Sequence, residues 1–201
     1  MFAYSILHAI ENSTFGGIIL CTSHLQFKRG LMTRISESAQ VSPKAWVGQE
    51  VRIADLAIIN DTAILEDRCV IMDGAIISSM THIFGDAVIG SRVIVVEQVC
   101  IGDGAEIRNI TDYLVAGPIG SENRFVTLYR TVGGGHMVHV GCWGSHTLDE
   151  LEARIHEPDR WGKSHQVFAD QYEGFIHMAR IWAKRWYMEA VVAEFVPEVT
   201  E

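Results

Sequence analysis

The chain has 201 residues, of which 48% are hydrophobic and 20% charged, and its formal net charge is −9. This composition predicts one folded domain with appendages, and the negative charge argues against binding to a nucleic-acid polymer. No apolar stretch approaches the ~20 residues that a membrane span needs. The four cysteines match no zinc pattern and suit a reducing compartment. We therefore expect a cytoplasmic protein that does not act at a membrane.

Residues 1–32 lie before the regular part of the chain. They contain two apolar pieces, Phe2–Ile10 and Gly17–Cys21, but neither the basic region nor the continuous apolar core of a signal peptide. One interpretation is that Met32 is the natural start and the preceding residues are an upstream extension. We favour the other, in which this segment covers the open end of the repeat that follows.

Residues 33–112 contain an aliphatic side chain at every sixth position, and a small or short residue usually stands two positions earlier. Because side chains alternate along a strand, both residues of each pair point to the same side. This hexapeptide repeat is typical of a β-helix. The aliphatic column is Ile35, Val41, Val47, Ile53, Ile59, Leu65, Ile71, Ile77, Ile83, Ile89, Val95, Ile101 and Ile107.

The repeat resembles the left-handed β-helix family, in which three hexads make one triangular coil. The resemblance implies a mainly β fold, a left-handed parallel β-helix of about four coils, and a homotrimer packed through the helix walls. Acyltransferases of this fold often extend a long loop from one coil, but no hexad is interrupted here. A short β-helix also needs its ends covered, because one repeat cannot bury its own apolar face.

The residue before each aliphatic position points outward and defines three walls when every third hexad is taken together. One wall carries Gln40 followed by Ile58, Ile76 and Ile94. A contiguous apolar stripe on a surface usually marks an interface. We interpret these isoleucines as the trimer interface. The alternative is that another part of the same chain covers them.

Residues 113–188 follow a different pattern, which predicts a β-hairpin and two helices. The hairpin strands are predicted at Phe125–Thr131 and Met137–Trp143, joined by a turn at Gly133–Gly135. Thr147 and Glu150 form a capping box that opens a short helix ending near His156. A longer helix is expected from about residue 163 to 188, and its aromatic side chains should pack against the hairpin. Residues 189–201 are predicted to be an acidic tail.

This C-terminal region resembles a module that an uncharacterised family of bacterial, phage and mobile-element proteins joins to hexapeptide-repeat β-helices. The resemblance rests on Gly117–Ser121, Tyr129–Thr131, Gly141-Cys142, Gly144 with Thr147-Leu148, and Tyr172 with Phe175-Ile176. It implies no established activity. By analogy with the phage and mobile-element setting of that family, the resemblance suggests a protein that sequesters a small signalling nucleotide.

Two groups of residues are candidates for function. The segment around Gly120, Ser121 and Asn123 is a glycine- and proline-rich turn whose N–H groups would hold an anion, with Arg124 and Arg130 as further donors. A structural connector is the alternative. His82, at an outward position of the β-helix, resembles the general base of hexapeptide acyltransferases, although a lone wall histidine is more often involved in packing.

A zinc site at His136, His139 and His146 is less favoured, because their spacing matches no zinc motif, so we expect no metal and no cofactor. We therefore expect a non-enzymatic trimer that holds a small anionic, nucleotide-like ligand. The alternatives are an acyltransferase that uses His82, and a structural scaffold.

Overall fold

The computed structural model describes residues 33–157 and 165–195, so the predicted cap at residues 1–32 lies outside the described residues. The repeat forms thirteen two-residue strands. They are β1 (Arg34–Ile35), β2 (Gln40–Val41), β3 (Trp46–Val47), β4 (Arg52–Ile53), β5 (Ile58–Ile59), β6 (Ile64–Leu65), β7 (Val70–Ile71), β8 (Ile76–Ile77), β9 (His82–Ile83), β10 (Val88–Ile89), β11 (Ile94–Val95), β12 (Cys100–Ile101) and β13 (Glu106–Ile107).

These strands build three parallel sheets, one for each wall of the solenoid. Their orders are β1-β4-β7-β10-β13, β2-β5-β8-β11 and β3-β6-β9-β12. Paired residues lie one coil apart in the sequence, as Arg34 and Arg52 do. The predicted parallel β-helix of about four coils is confirmed.

The aliphatic column and the small residues two positions before it form the interior. From Ile53 to Ile107 every residue of the aliphatic column is buried, and small residues such as Ala57 and Ala75 are completely buried beside them. Ile35, in the first coil, is 46% exposed. The first coil has no neighbour on its outer side among the described residues, which explains this exposure.

From Glu50 onward the corners of the coils contain residues with positive φ. Glycine takes this role at Gly74, Gly85 and Gly104, where it costs least, but Leu56 and Arg92 adopt the same left-handed conformation. At Gly85 the Asp103 carboxylate from the next coil lies where a β-carbon would be. The stacking of similar coils therefore sets the backbone of these corners, even where the residue type does not favour it.

The C-terminal region begins with a four-stranded antiparallel sheet, which we call the cap sheet. Its strands are β14 (Tyr113–Ile119), β15 (Arg124–Arg130), β16 (His136–Val140) and β17 (Gly144–His146), in sequence order. The predicted hairpin corresponds to β15 and β16, but the two outer strands were not predicted. The turn expected from residue 117 starts only at Gly120, because Gly117 to Ile119 continue β14 through a cis Gly117–Pro118 bond.

The cap sheet is buried on both faces because it lies between the solenoid and the helices. Tyr113 and Tyr129 face the solenoid and join its core. Leu128 and Val138, on the opposite face, pack against the helices. Apolar residues therefore occupy successive positions in these strands instead of alternating with polar ones.

Hydroxyl groups join the cap sheet to the last coil. The Tyr113 hydroxyl accepts a hydrogen bond from the Val96 N–H and donates one to the Ile94 carbonyl, each at 3.1 Å. Thr127 Oγ1 accepts from the Cys100 N–H at 3.2 Å. These contacts satisfy backbone groups that another coil would otherwise pair with, so the cap sheet ends the solenoid.

Two helices cover the outer face of the cap sheet: α1 (Leu148–Ile155) and α2 (His165–Phe195). The predicted capping box is confirmed, since Glu150 N–H donates to Thr147 Oγ1 and Thr147 N–H donates to the Glu150 carboxylate. Helix α2 extends beyond residue 188 into the predicted tail, because no glycine or proline stands between that residue and Pro197. In the described part of the chain, neither helix is long and apolar enough to span a membrane.

Candidate functional site

An open groove of about 690 Å³ lies between the β15–β16 loop, the start of α1 and the middle of α2. We call this feature the groove. Its volume falls in the range of small-molecule sites. It is lined by Gly133–His136, Thr147–Asp149, Arg180, Ala183, Lys184 and Tyr187.

The loop on one side of the groove, which we call the glycine loop, is Gly133–Gly135. Gly133 and Gly134 have φ values of 76° and 79°, which few other residues adopt at low cost. The Thr131 N–H donates to the Gly135 carbonyl at 2.9 Å and closes the loop. A β-carbon at Gly133 would meet no atom within 4 Å. The backbone of this loop is therefore open to an approaching molecule.

The opposite side of the groove carries charged and aromatic groups from α2. The Arg180 guanidinium binds the carboxylates of Asp149 and Glu152, each at 2.8 Å, and these bonds raise its pKa above the usual range. Lys184 is exposed, and Tyr187 is 64% exposed. These three α2 residues share one face of the helix because they are spaced by four and three positions. The acidic side chains are thus occupied by Arg180, whereas Lys184 and Tyr187 face the groove.

His82 lies on the solenoid wall formed by β3, β6, β9 and β12, which contributes no residue to the groove. Its Nε2 is 2.8 Å from Oε2 of Glu66, and its side chain is 21% exposed. This hydrogen bond lowers the pKa of the Glu66 carboxyl, and the charge of a protonated His82 acts in the same direction. A carboxylate that orients a partly exposed imidazole is an arrangement used by general bases. Acyl transfer by His82 stays a prediction.

A buried histidine lies behind this wall, at the joint between solenoid and cap sheet. His139 Nδ1 is 3.2 Å from Ser145 Oγ, and its ring contacts the edge of Phe84, which in turn packs beside His82. Burial is the main cause that lowers the pKa of His139 to about 4, and the charge of a protonated His82 acts in the same direction. His139 is therefore neutral at physiological pH.

Of the residues predicted to form an anion-binding turn, Gly120, Ser121, Asn123 and Arg124 lie together, whereas Arg130 is separate. The Gly120 N–H donates to Gln171 Oε1 at 2.8 Å, and Tyr172 packs directly on Gly120. Ser121 and Asn123 are exposed in the turn, beside Arg124 at the start of β15. Arg130 is at the other end of the same strand, where its guanidinium is 3.2 Å from the Asp112 carboxylate. Helix α2 thus contacts the turn at Gly120, and anion binding by this turn stays a prediction.

The three histidines considered for zinc also lie apart. His136 lines the groove, whereas His139 faces the solenoid, where its ring contacts Phe84. The ring of His146 stacks on Trp143 with centroids 3.7 Å apart. Among residues 33–157 and 165–195, no three His, Cys, Asp or Glu side chains are arranged to hold a metal ion.

The three wall isoleucines do form one surface. Ile58, Ile76 and Ile94 pair in register on the neighbouring strands β5, β8 and β11. Ile94 is 47% exposed and the other two are half-buried. Their role in a trimer interface stays a prediction.

The groove and the carboxylate partner of His82 were not predicted from the sequence. The groove was missed because no lysine or helix start directly follows the glycine loop in the sequence. In the structure, the start of α1 and Lys184 of α2 lie across the groove from that loop. Tyr187 was expected to pack against the hairpin with the other aromatic residues of its helix, but it is 64% exposed, whereas the neighbouring Trp186 is buried. The position of Glu66 could have been recognised in the sequence. It stands one coil before Phe84, so it lies next to Phe84 on the wall, and Phe84 is the neighbour of His82.

No protein-family model matches the chain, and no curated protein matches it. Among solved structures, the chain is similar to a mutant of perosamine N-acetyltransferase from Caulobacter crescentus, determined with CoA and GDP-perosamine. The identity is 15%, the match covers 47% of this chain, and the TM-score is 0.27. The matched region spans about half of that enzyme, at 56% of its length.

Proposed function

We propose that the protein is a homotrimer that binds a small anionic ligand in the groove without converting it. The observation that carries this proposal is that Lys184 and Tyr187 both lie on the α2 face opposite the glycine loop. Lys184 supplies a positive charge in a chain whose net charge is −9. A local cation of this kind attracts an anion to one place on an otherwise acidic protein.

The groove suits a ligand that combines an anionic group with a planar ring, as a nucleotide does. Tyr187 offers an exposed ring on which a base stacks. The glycine loop has positive φ values at Gly133 and Gly134 and no side chains, which allows phosphate oxygens to approach its backbone. The Gly134 N–H already donates to the Thr131 carbonyl at 3.2 Å, so the other N–H groups of the loop would be the donors. Lys184 then contacts the same phosphate as a point charge. Arg180 is held by Asp149 and Glu152 and acts mainly as one wall of the groove.

We expect Lys184→Ala to weaken binding of an anionic aromatic probe, trinitrophenyl-labelled ATP, by about tenfold. The loss follows from removing the cation beside the phosphates. The dissociation constant is measured by fluorescence titration of the full chain. Arg185→Ala is the matched control, because it removes the same charge from the next residue of α2, which does not line the groove. Equal weakening by both substitutions, or no binding to the unmodified protein, contradicts the proposal.

We expect Ile76→Asp to convert the trimer into monomers. The substitution puts a carboxylate at the centre of the isoleucine surface, where association would strip it of water. Size-exclusion chromatography with light scattering measures the mass. Arg52→Asp, at a polar outward position of another wall, is the control and should elute as the unmodified protein does. An unchanged mass for Ile76→Asp would mean that another part of the same chain covers the isoleucines.

A further inference from the structure

A glutamate, a histidine and a cysteine lie together on one wall of the solenoid. His82 and Cys100 are direct partners in the parallel pairing of β9 and β12, and both occupy outward positions. Neighbouring strands are ~4.8 Å apart, so side chains at paired positions stand beside each other. Glu66 binds the imidazole at 2.8 Å. The coil geometry therefore places a carboxylate, an imidazole and a thiol on three consecutive coils of one wall.

The hydrogen bond to Glu66 determines which nitrogen of His82 is available as a base. A carboxylate only accepts, so Nε2 is the donor and the neutral ring keeps its lone pair on Nδ1. Nδ1 is bonded to the ring carbon next to Cβ and so lies closer to the sheet than Nε2 does. Glu66 also stabilises the imidazolium that forms when Nδ1 takes a proton.

Cys100 differs from the other described cysteines. It is half-buried on the wall, whereas Cys142 is exposed in the turn after β16. Cys69 is completely buried, and burial raises the pKa of its thiol to about 12, so it is inert. Since the thiolate is the nucleophile, a thiol on the same wall as a carboxylate-bound imidazole has a base nearby to take its proton.

We propose that Cys100 is a nucleophile that accepts an acyl group from a thioester, with His82 as its base and Glu66 as the residue that positions His82. The thiol proton moves to Nδ1, and the thiolate attacks the thioester carbonyl carbon to form a new C–S bond. The bond to the leaving sulfur breaks with its electron pair, and that sulfur takes the proton back from His82. One thioester is exchanged for another, so no oxidant or reductant is required.

This acyl transfer goes beyond the proposed ligand binding and does not depend on it. The groove is formed by the glycine loop, α1 and α2, whereas these three residues belong to the solenoid. Substitutions at Lys184 should leave Cys100 unchanged, and substitutions at Cys100 should leave binding in the groove unchanged.

The first test compares the rates at which iodoacetamide modifies individual cysteines of the full chain at pH 7, followed by peptide mass spectrometry. Accessibility alone predicts that the exposed Cys142 reacts faster than Cys100. We expect the reverse order, with Cys100 faster by about tenfold, and we expect His82→Gln to restore the order set by accessibility. Glu66→Gln should slow Cys100 by a smaller factor. Faster modification of Cys142 in the unmodified protein, or no effect of His82→Gln, overturns the proposal.

The second test uses a small thioester, S-acetyl-N-acetylcysteamine, as the acyl donor. We expect the mass of one acetyl group on the peptide that contains Cys100, and none on that peptide in Cys100→Ser or His82→Gln. Circular dichroism of each variant confirms that the solenoid is folded. Acetylation that is equal at Cys100 and Cys142, or that persists at Cys100 in His82→Gln, overturns the proposal.

Discussion

Replacing Asp112 with alanine is expected to lower the free energy of unfolding by about 3–5 kcal/mol. The Asp112 side chain is 1% exposed and accepts hydrogen bonds from the backbone N–H groups of Arg108 and Asn109, at 2.7 and 2.9 Å. It also contacts the Arg130 guanidinium at 3.2 Å. Its loss removes a buried carboxylate from beside the mostly buried Arg130 guanidinium and takes the acceptor away from two backbone N–H groups. Urea denaturation at pH 7 measures the change.

Asp61→Ala is a suitable control for the Asp112 experiment. Asp61 also pairs with a cation, Lys44, at 2.8 Å, but both side chains are at least half exposed. Water screens an exposed ion pair so that it contributes little to stability, and the control should be nearly neutral. A loss below about 1 kcal/mol for Asp112→Ala would contradict the structural role of this ion pair. By the same reasoning, Arg130→Ala should reduce stability and leave ligand affinity unchanged.

The protein is expected to lose about 3 kcal/mol of stability through His139 alone as the pH falls from 6.5 to 4. Burial holds the pKa of His139 at about 4 in the folded chain, whereas the unfolded histidine titrates near its ordinary value of 6.5. Between these values the unfolded state binds more protons, so acidification favours unfolding. Above 6.5 both states are neutral at this position and the effect is absent. Urea midpoints at a series of pH values measure it.

His139→Gln separates this contribution from all other titrating groups, because glutamine is polar but does not gain a proton. We expect the variant to be less stable at pH 7 and to show a flatter dependence on pH below 6.5. His177→Gln, at an exposed position of α2, is the control and should keep the slope of the unmodified protein. The same slope in all three proteins would show that His139 does not determine the acid response.

The solenoid could be predicted from the sequence because its structure is local and repeated. The positions that Cys69 and Ile71 occupy in their hexad are repeated in all thirteen hexads, so one strand geometry explains all thirteen strands. The start of α1 was predictable for a similar reason, since Thr147 and Glu150 bind each other across three residues. The outer strands β14 and β17 were harder, because β14 ends in Gly117–Ile119, whose glycine and proline indicate a turn, and β17 has only the three residues Gly144–His146.

The candidate sites depend on contacts that no short pattern contains. The groove needs His136, Asp149 and Lys184 to meet, and these belong to a strand, a short helix and a long helix. The turn at Gly120 matched an anion site in composition, but Gln171, far along the chain, takes its N–H group. Only the proximity of Glu66, His82 and Cys100 could be predicted from the sequence, because residues about one coil apart become neighbours on the same wall.

The stacking of residues one coil apart also limits how the solenoid can change in length. The cap sheet rests on the last coil, through Val96 and Cys100, with Phe84 reaching it from the coil before. Insertion or loss of a whole coil would keep these junctions, because the chain would return to the same wall. Insertion of a single hexad would instead rotate everything beyond it by a third of a turn and move the cap sheet to a different wall. The repeat therefore tolerates evolutionary growth only in units of three hexads.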